Sequence, residues 1–166
     1  MDAQATKHSM FKDTIVERKG DRELVATRLF DASPALVYRA WAEADLFRQW
    51  WVPEGFGIRL VGCEMDVRTG GKYRLEFDGG TGENAAFHGK YLDVVPGERI
   101  VWTNDENGEE AGAVTTVTFA DEGGKTRLTY HELYPTPAEL EEALQGSAQG
   151  LPAQLDQLGV LLQTLG

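Results

Sequence analysis

The amino-acid sequence predicts an α+β protein in which a curved antiparallel sheet wraps around a long C-terminal helix. The middle of the chain, residues 58–134, has a hydrophobic period near two, which is typical of β-strands. Two short segments with helical spacing follow the first main strand. The last part of the chain carries leucines at steps of 3, 4 and 7, which is typical of one helix face: Leu140, Leu144, Leu151, Leu155, Leu158, Leu162 and Leu165.

The N-terminal residues are polar and show no periodicity. We expect residues 1–13 to form a loose tail and residues 14–166 to form a single domain, because 166 residues match one domain of ordinary size. Residues 14–17 are predicted as a short edge strand before a turn at Gly20. In residues 22–30, apolar side chains occur at both odd and even positions, which predicts a strand covered on both faces.

Two tandem helices are predicted after this strand. Ser33 is a good N-cap, and Pro34 suits the first helical position, where its missing N–H needs no partner. The first helix then carries an apolar face of Leu36, Val37, Ala40 and Trp41. Asp45 is predicted to cap a second short helix, which carries Leu46, Phe47 and Trp50.

Six further strands bring the main sheet to seven, at residues 58–67, 72–78, 85–95, 99–104, 114–119 and 126–134. The loops between them are too short for parallel crossovers, so neighbours in the chain should pair as antiparallel hairpins. In the first of these six strands, alternation predicts one shared face for Val61, Cys63, Met65 and Val67.

The C-terminal helix is predicted to begin at Thr136-Pro137 and to be interrupted near Gly150–Pro152. Glycine weakens a helix, and an internal proline removes a hydrogen bond and crowds the preceding turn. Either Pro152 kinks one helix, or it begins a new helix after a loop. In both versions, we expect the break to border the mouth of a cavity and residues 137–149 to form a lid.

The composition excludes several classes of protein. The chain carries 27 acidic and 16 basic side chains, a net charge of −11, which argues against nucleic acids and anionic membranes as partners. One cysteine excludes an internal disulfide framework. The sequence has neither a signal peptide nor an apolar run long enough to span a membrane, so we expect a cytoplasmic protein.

Motifs for catalysis or metal binding are absent from the sequence, which predicts no metal site and no cofactor. Cys63 is expected to be a structural thiol, and His88 and His131 are expected to face solvent. Glu132 shares parity with Tyr130, so it could point inward as an acid or polar anchor, although a position at the rim is favoured.

The aromatic residues are the strongest indication of a site. They number 16 and fall mainly at the second helix and on shared strand faces. A strongly curved sheet around one helix leaves a concave face that side chains do not fill, which favours a ligand cavity. The candidate ligand-binding residues are Phe47, Trp51, Phe56, Met65, Tyr73, Phe77, Phe87, Tyr91, Trp102, Tyr130, Leu151 and Leu155.

Several motifs, in this order along the chain, resemble the family of activators of heat-shock-protein ATPase, within the START-like (SRPBCC) superfamily. The resemblance begins near Thr14 and extends to the C-terminus. The similar segments are TRLFDASP at 27–34, VYRAW at 37–41, WWVP at 50–53, DVRTGG at 66–71, HGKY at 88–91, VVPGER at 94–99, and Gly150-Leu151 with LDQL at 155–158.

The resemblance implies a helix-grip fold, in which a seven-stranded antiparallel sheet and two small helices enclose a hydrophobic cavity against the long C-terminal helix. It does not imply one activity, because superfamily members bind lipids, hormones or polyketides, cyclise aromatic intermediates, or regulate chaperones. One departure concerns Leu151, where family members often carry tryptophan, so the cavity near Gly150 is expected to have a shape of its own.

The sequence thus leaves three functions, in decreasing order of support. The first is binding of a small, largely hydrophobic or aromatic molecule. The second is a cyclase, dehydratase or hydrolase reaction in the same cavity, with Glu132 and the hydroxyls of Tyr73, Tyr91 and Tyr130 as candidates. The third is regulation of a chaperone ATPase. It ranks last because the eukaryotic regulators that the resemblance implies pair this fold with a second, N-terminal domain, whereas only about 20 residues precede the first main strand here. A homodimer is left open.

Overall fold

The computed structural model describes residues 14–55, 57–80, 84–105 and 112–165. The strands are β1 (Ile15–Lys19), β2 (Glu23–Phe30), β3 (Arg59–Met65), β4 (Lys72–Asp78), β5 (Asn84–Val95), β6 (Arg99–Thr103), β7 (Val114–Glu122) and β8 (Lys125–Leu133). The helices are α1 (Pro34–Ala42), α2 (Ala44–Phe47), α3 (Pro137–Gln145) and α4 (Leu151–Leu165). A 3₁₀ turn at Ser147–Gly150 lies between the last two helices.

The strands form one antiparallel sheet in the order β1-β2-β8-β7-β6-β5-β4-β3. From β3 to β8, each strand pairs with its neighbour in the chain, as the short loops predicted. β2 pairs with β8, which brings the two ends of the domain together. The resemblance implied seven strands, whereas the described sheet has eight, because the predicted edge strand β1 pairs with β2.

The longest strand, β5, takes part in the curvature of the sheet. It pairs with β4 over Asn84–Lys90 and with β6 over Tyr91–Val95, and its register shifts between Tyr91 and Asp93. Such a bulge bends the strand and increases its twist. The bent β5 therefore joins β4 to β6 through a bend, which adds to the curvature of the sheet.

A second bulge lies in β3, where the register shifts between Leu60 and Gly62. The extra residue, Val61, is turned outward and is 42% exposed. The expectation that Val61 shares the inner face with Cys63 and Met65 is therefore wrong, because a bulge inverts the alternation on one side of it.

The two helices after β2 form at the predicted places, but α2 ends at Phe47, so Trp50 lies in the turn that follows it. The Ser33 hydroxyl accepts a hydrogen bond from the Leu36 N–H at 3.3 Å, and Pro34 lies in the first turn of α1. The N-cap of α2 is Glu43 rather than Asp45. Asp45 instead lies in the first turn of α2, where a negative charge favours the helix dipole.

The predicted break in the C-terminal helix is confirmed. α3 ends at Gln145, and Gly146 has φ −127° and ψ −101°, which lies outside the helical region. α4 begins at Leu151, so Pro152 lies in a first turn, where a missing N–H needs no partner. The break is therefore the start of a new helix, and not a kink around Pro152.

One face of α4 anchors the helix to the concave side of the sheet. Its leucines are 0–4% exposed, and burial of each contributes roughly 1.5–3 kcal/mol: Leu151, Leu155, Leu158 and Leu162. Asp156 forms an ion pair with Arg28 of β2. The Arg28 guanidinium also lies 5.1 Å from the centre of the Phe30 ring. The ion pair and the buried leucines fix α4 over the sheet, and Phe30 holds the Arg28 side chain within β2.

We expect Gly89→Ala to lower the free energy of unfolding by about 3 kcal/mol. β5 passes so close to β6 at this position that a Cβ would lie 1.8 Å from the Thr103 carbonyl oxygen and 2.8 Å from Tyr73 Cε2. The carbonyl belongs to the sheet backbone, so it cannot move aside cheaply. Urea denaturation of the variant measures the effect.

The matched control is Gly79→Ala, at the end of β4, where a Cβ would meet no atom within 4 Å. We expect this variant to change the free energy of unfolding by less than about 0.5 kcal/mol. Equal stability of the two variants would contradict the close approach of β5 to β6.

Candidate functional site

A cavity of about 930 Å³ lies between the concave face of the sheet and the helices. Side chains of β3, β4, β5, β6 and β8 form its sheet side. The opposite side comes from α1, from α2 and the segment after it, and from α3 and α4. Ala148 and Gly150, at the helix break, also border the cavity, as the sequence predicted for the break.

Ten of the twelve candidate ligand-binding residues line this cavity: Phe47, Trp51, Met65, Tyr73, Phe77, Phe87, Tyr91, Trp102, Tyr130 and Leu151. Leu155 does not border it. It lies one turn further along α4, is fully buried, and belongs to the main hydrophobic core. Phe56 lies outside the described residues.

An aromatic cluster forms the wall between the cavity and the core, and Trp41 of α1 lies at its centre. The ring centroid of Trp41 is 4.6 Å from that of Trp50, 5.9 Å from Trp102, 6.0 Å from Trp51 and 6.1 Å from Tyr130. Such ring pairs contribute about 0.5–1.5 kcal/mol each beyond the area they bury. The wall is therefore well ordered before any ligand is present.

Two glutamines of α4 hold the segment that follows α2. The Gln157 amide donates to the carbonyls of Trp50 and Val52, at 2.9 Å each, and accepts from the Glu54 N–H at 2.8 Å. The Gln154 amide donates to the Trp51 carbonyl. These bonds satisfy backbone groups beyond the end of a short helix, and they connect the aromatic wall to the anchored helix.

The polar centre of the cavity is Glu132, near the end of β8. Three hydroxyls donate to its carboxylate: Thr115 Oγ1 and the Tyr130 hydroxyl to Oε2, each at 2.9 Å, and the Tyr134 hydroxyl to Oε1 at 2.5 Å. Glu132 lines the cavity together with Tyr130 and Tyr134. The rim position that the sequence favoured is therefore wrong, because the three hydroxyls direct the carboxylate toward the cavity.

A second polar group lies on the β4 side of the cavity. The Tyr73 hydroxyl donates to the Thr103 carbonyl at 2.6 Å and lies 2.9 Å from Asn104 Oδ1. Burial, together with the nearby acidic groups Asp105 and Glu132, raises the pKa of Tyr73. Tyr73 therefore remains a neutral hydroxyl, held in position by the end of β6.

The sequence does not reveal every residue of the site, and three matter most among those it leaves out. It places Trp41 only on a helix face, and it does not indicate Thr115 or Tyr134. Tyr134 has the same parity as Glu132, which could have indicated it. Thr115 faces Glu132 through the register of β7 with β8, which the sequence of neither strand reveals.

The other reactive side chains are placed largely as predicted. His88 is exposed, while His131 is half-buried and lies 2.8 Å from Glu23 Oε1. Cys63 is half-buried beside Met65, and burial raises the pKa of its thiol. The described residues hold no group of three side chains suited to a metal ion. Within them, no helix is long and apolar enough to cross a membrane.

A curved antiparallel sheet that grips a C-terminal helix, with a cavity between the two, defines a helix-grip protein of the SRPBCC type. The chain belongs to the family described as activator of Hsp90 ATPase homolog 1-like protein, whose model matches residues 31–163. No curated protein matches the chain significantly.

Solved bacterial structures share the fold. A protein from Rhodobacter sphaeroides is similar with a TM-score of 0.80 and 22% identity, over 93% of this chain and 100% of that one. A protein from Chromobacterium violaceum has a TM-score of 0.68 and 33% identity, over 85% of this chain and 96% of that one. An AHSA1-like protein from Aeromonas hydrophila has a TM-score of 0.64 and 19% identity, over 86% and 94%.

We expect the phenolate absorbance of the native protein to stay far below that of the unfolded chain near pH 11. Burial raises the pKa of Tyr73, Tyr91, Tyr130 and Tyr134 above the ordinary value of 10.0, and the Glu132 charge adds to this effect for Tyr130 and Tyr134. The unfolded state therefore releases these protons first. The stabilisation is complete below pH 10 and decreases above it, by up to about 1.4 kcal/mol per pH unit for each tyrosine.

Alkaline titrations with and without guanidinium, together with urea denaturation at a series of pH values, measure both quantities. Coincident native and unfolded titration curves would contradict the burial of these hydroxyls.

Proposed function

We propose that this protein binds a small, largely hydrophobic molecule in the cavity between the sheet and the C-terminal helices. The observation that carries the proposal is a cavity of about 930 Å³ with an aromatic wall and one hydrogen-bonded carboxylate, Glu132. Cavities of roughly 300–1,000 Å³ with apolar walls and a few convergent polar groups are typical small-molecule sites.

The helix break supports the same proposal, because it offers a route by which a ligand could enter the cavity. α3 packs in its own small cluster, which contains Leu140, Leu24 and Tyr134, while α4 belongs to the main core. The two segments are therefore anchored separately, and Gly146 lies between them. We propose that α3 moves relative to α4 when the ligand enters.

Catalysis in the same cavity is the second candidate, favoured by one observation. Glu132 and the Tyr130 hydroxyl form a hydrogen-bonded acid–base pair against the cavity. The test begins with a molecule that co-purifies with the protein and is identified by mass spectrometry. Conversion of that molecule by the native protein, and not by Glu132→Gln, would support an enzyme.

The family description names an activator of a chaperone ATPase. The described features that indicate a function are the cavity, its aromatic wall and Glu132. These features favour ligand binding, so we propose ligand binding and not chaperone regulation.

We expect Ala85→Trp to weaken binding of the neutral fluorophore N-phenylnaphthylamine at least about tenfold. Ala85 lies on β5 and lines the cavity, so an indole at this position occupies space that the ligand needs. Fluorescence titration of the protein with the fluorophore measures the affinity.

The matched control is Ala86→Trp, one residue further along β5. Ala86 is also exposed but does not line the cavity, because alternate residues of a strand point to opposite faces. The control should bind the fluorophore as the native protein does. Equal affinities of all three proteins, or no binding by the native protein, would overturn the proposed site.

A further inference from the structure

The charged side chains that line the cavity all carry the same sign. Glu132 lies inside the cavity, and Glu139 and Glu142 of α3 lie at its border. Among the described lining residues there is no lysine, arginine or histidine. A ligand with a carboxylate or phosphate head would therefore meet negative charge without a counter-ion, and it would lose its hydration on entry.

The hydrogen-bonding geometry at Glu132 selects the ligand further. A tyrosine hydroxyl has one hydrogen, and both Tyr130 and Tyr134 donate theirs to the Glu132 carboxylate. Thr115 donates its own hydroxyl hydrogen to the same carboxylate. What this centre offers to a ligand is therefore only lone pairs, on the carboxylate and on the hydroxyl oxygens. It can accept hydrogen bonds, and it has no hydrogen left to donate.

Among the described residues, no basic group neutralises the Glu132 charge. All the hydrogen bonds that its carboxylate makes to described residues come from uncharged hydroxyls, and none of the ion pairs in the described part of the chain includes it. The aromatic wall is close by, since the Tyr130 ring lies 6.1 Å from Trp41 and 6.4 Å from Trp102. Aromatic rings attract cations through their π faces.

We propose that the ligand is a hydrophobic amine, with an aromatic or aliphatic body along the aromatic wall and a protonated nitrogen that donates to Glu132. This inference rests on the proposed function and names the chemical class of its ligand. The acidic residues of α3 would attract such a cation to the mouth of the cavity.

Three probes with the same ring system separate the possibilities: naphthylmethylamine, naphthylmethanol and naphthoic acid. Each competes with N-phenylnaphthylamine bound to the native protein. We expect the amine to displace the fluorophore at a concentration at least about tenfold lower than the acid, with the alcohol between them. In Glu132→Gln, the ratio of the displacing concentration of the acid to that of the amine should fall at least about fivefold. The affinity for the alcohol should change by less than about threefold.

The control variant is Glu64→Gln, which makes the same change in net charge on the exposed face of β3 and should keep the native preference. If the fluorophore does not bind, the proposed function fails. If it binds and the alcohol displaces it, but the acid competes as well as the amine, only this inference fails. An unchanged preference in folded Glu132→Gln would also overturn it. The comparison of probes on the native protein does not depend on the folding of any variant.

Discussion

The packing of α4 over one side of the sheet is the constraint on which the rest of the structure depends. Gly159 lets the helix approach β2 closely, since a Cβ there would lie 3.1 Å from Arg28 Nη2. A helix with its side chains is about 10–12 Å wide, whereas eight strands about 4.8 Å apart span about three times that width. One helix therefore cannot cover the concave face, and the uncovered part, mainly in front of β4, β5 and β6 and bordered by β3 and β8, is the cavity.

The remaining wall of the cavity is built from the short helices, and its order depends on α4 as well. α2 is only one turn long, and backbone hydrogen bonds from it hold the following segment as far as Trp51 but leave carbonyls of that segment to be paired. Gln154 and Gln157 supply the missing partners from α4, and the rings around Trp41 pack the segment against the core. The aromatic wall is thus fixed by polar contacts on one side and by ring contacts on the other, which lowers the cost of ordering it around a ligand.

Glu132 and the three hydroxyls that donate to it depend on one another for their hydrogen bonds. A carboxylate at an apolar cavity loses hydration, and three hydroxyls from β7, β8 and the residue after β8 compensate for this loss. An apolar side chain in the same place would need no such network. Under the proposed function, this satisfied polar centre in an otherwise aromatic cavity serves to recognise the ligand.

The sequence by itself determined the elements, because strand alternation, the Ser33-Pro34 start and the break before Pro152 are local properties of the chain. It also predicted most of the aromatic residues of the cavity wall, since aromatic residues at one parity share a strand face. Only the tertiary structure decided that Leu151 borders the cavity while Leu155 lies in the core, because this depends on where α4 crosses the sheet. The same holds for Glu132, whose direction near a strand end is set by hydroxyls that the pairing of β7 with β8 brings to it. Contacts between distant segments follow from packing and register, which no single stretch of sequence contains.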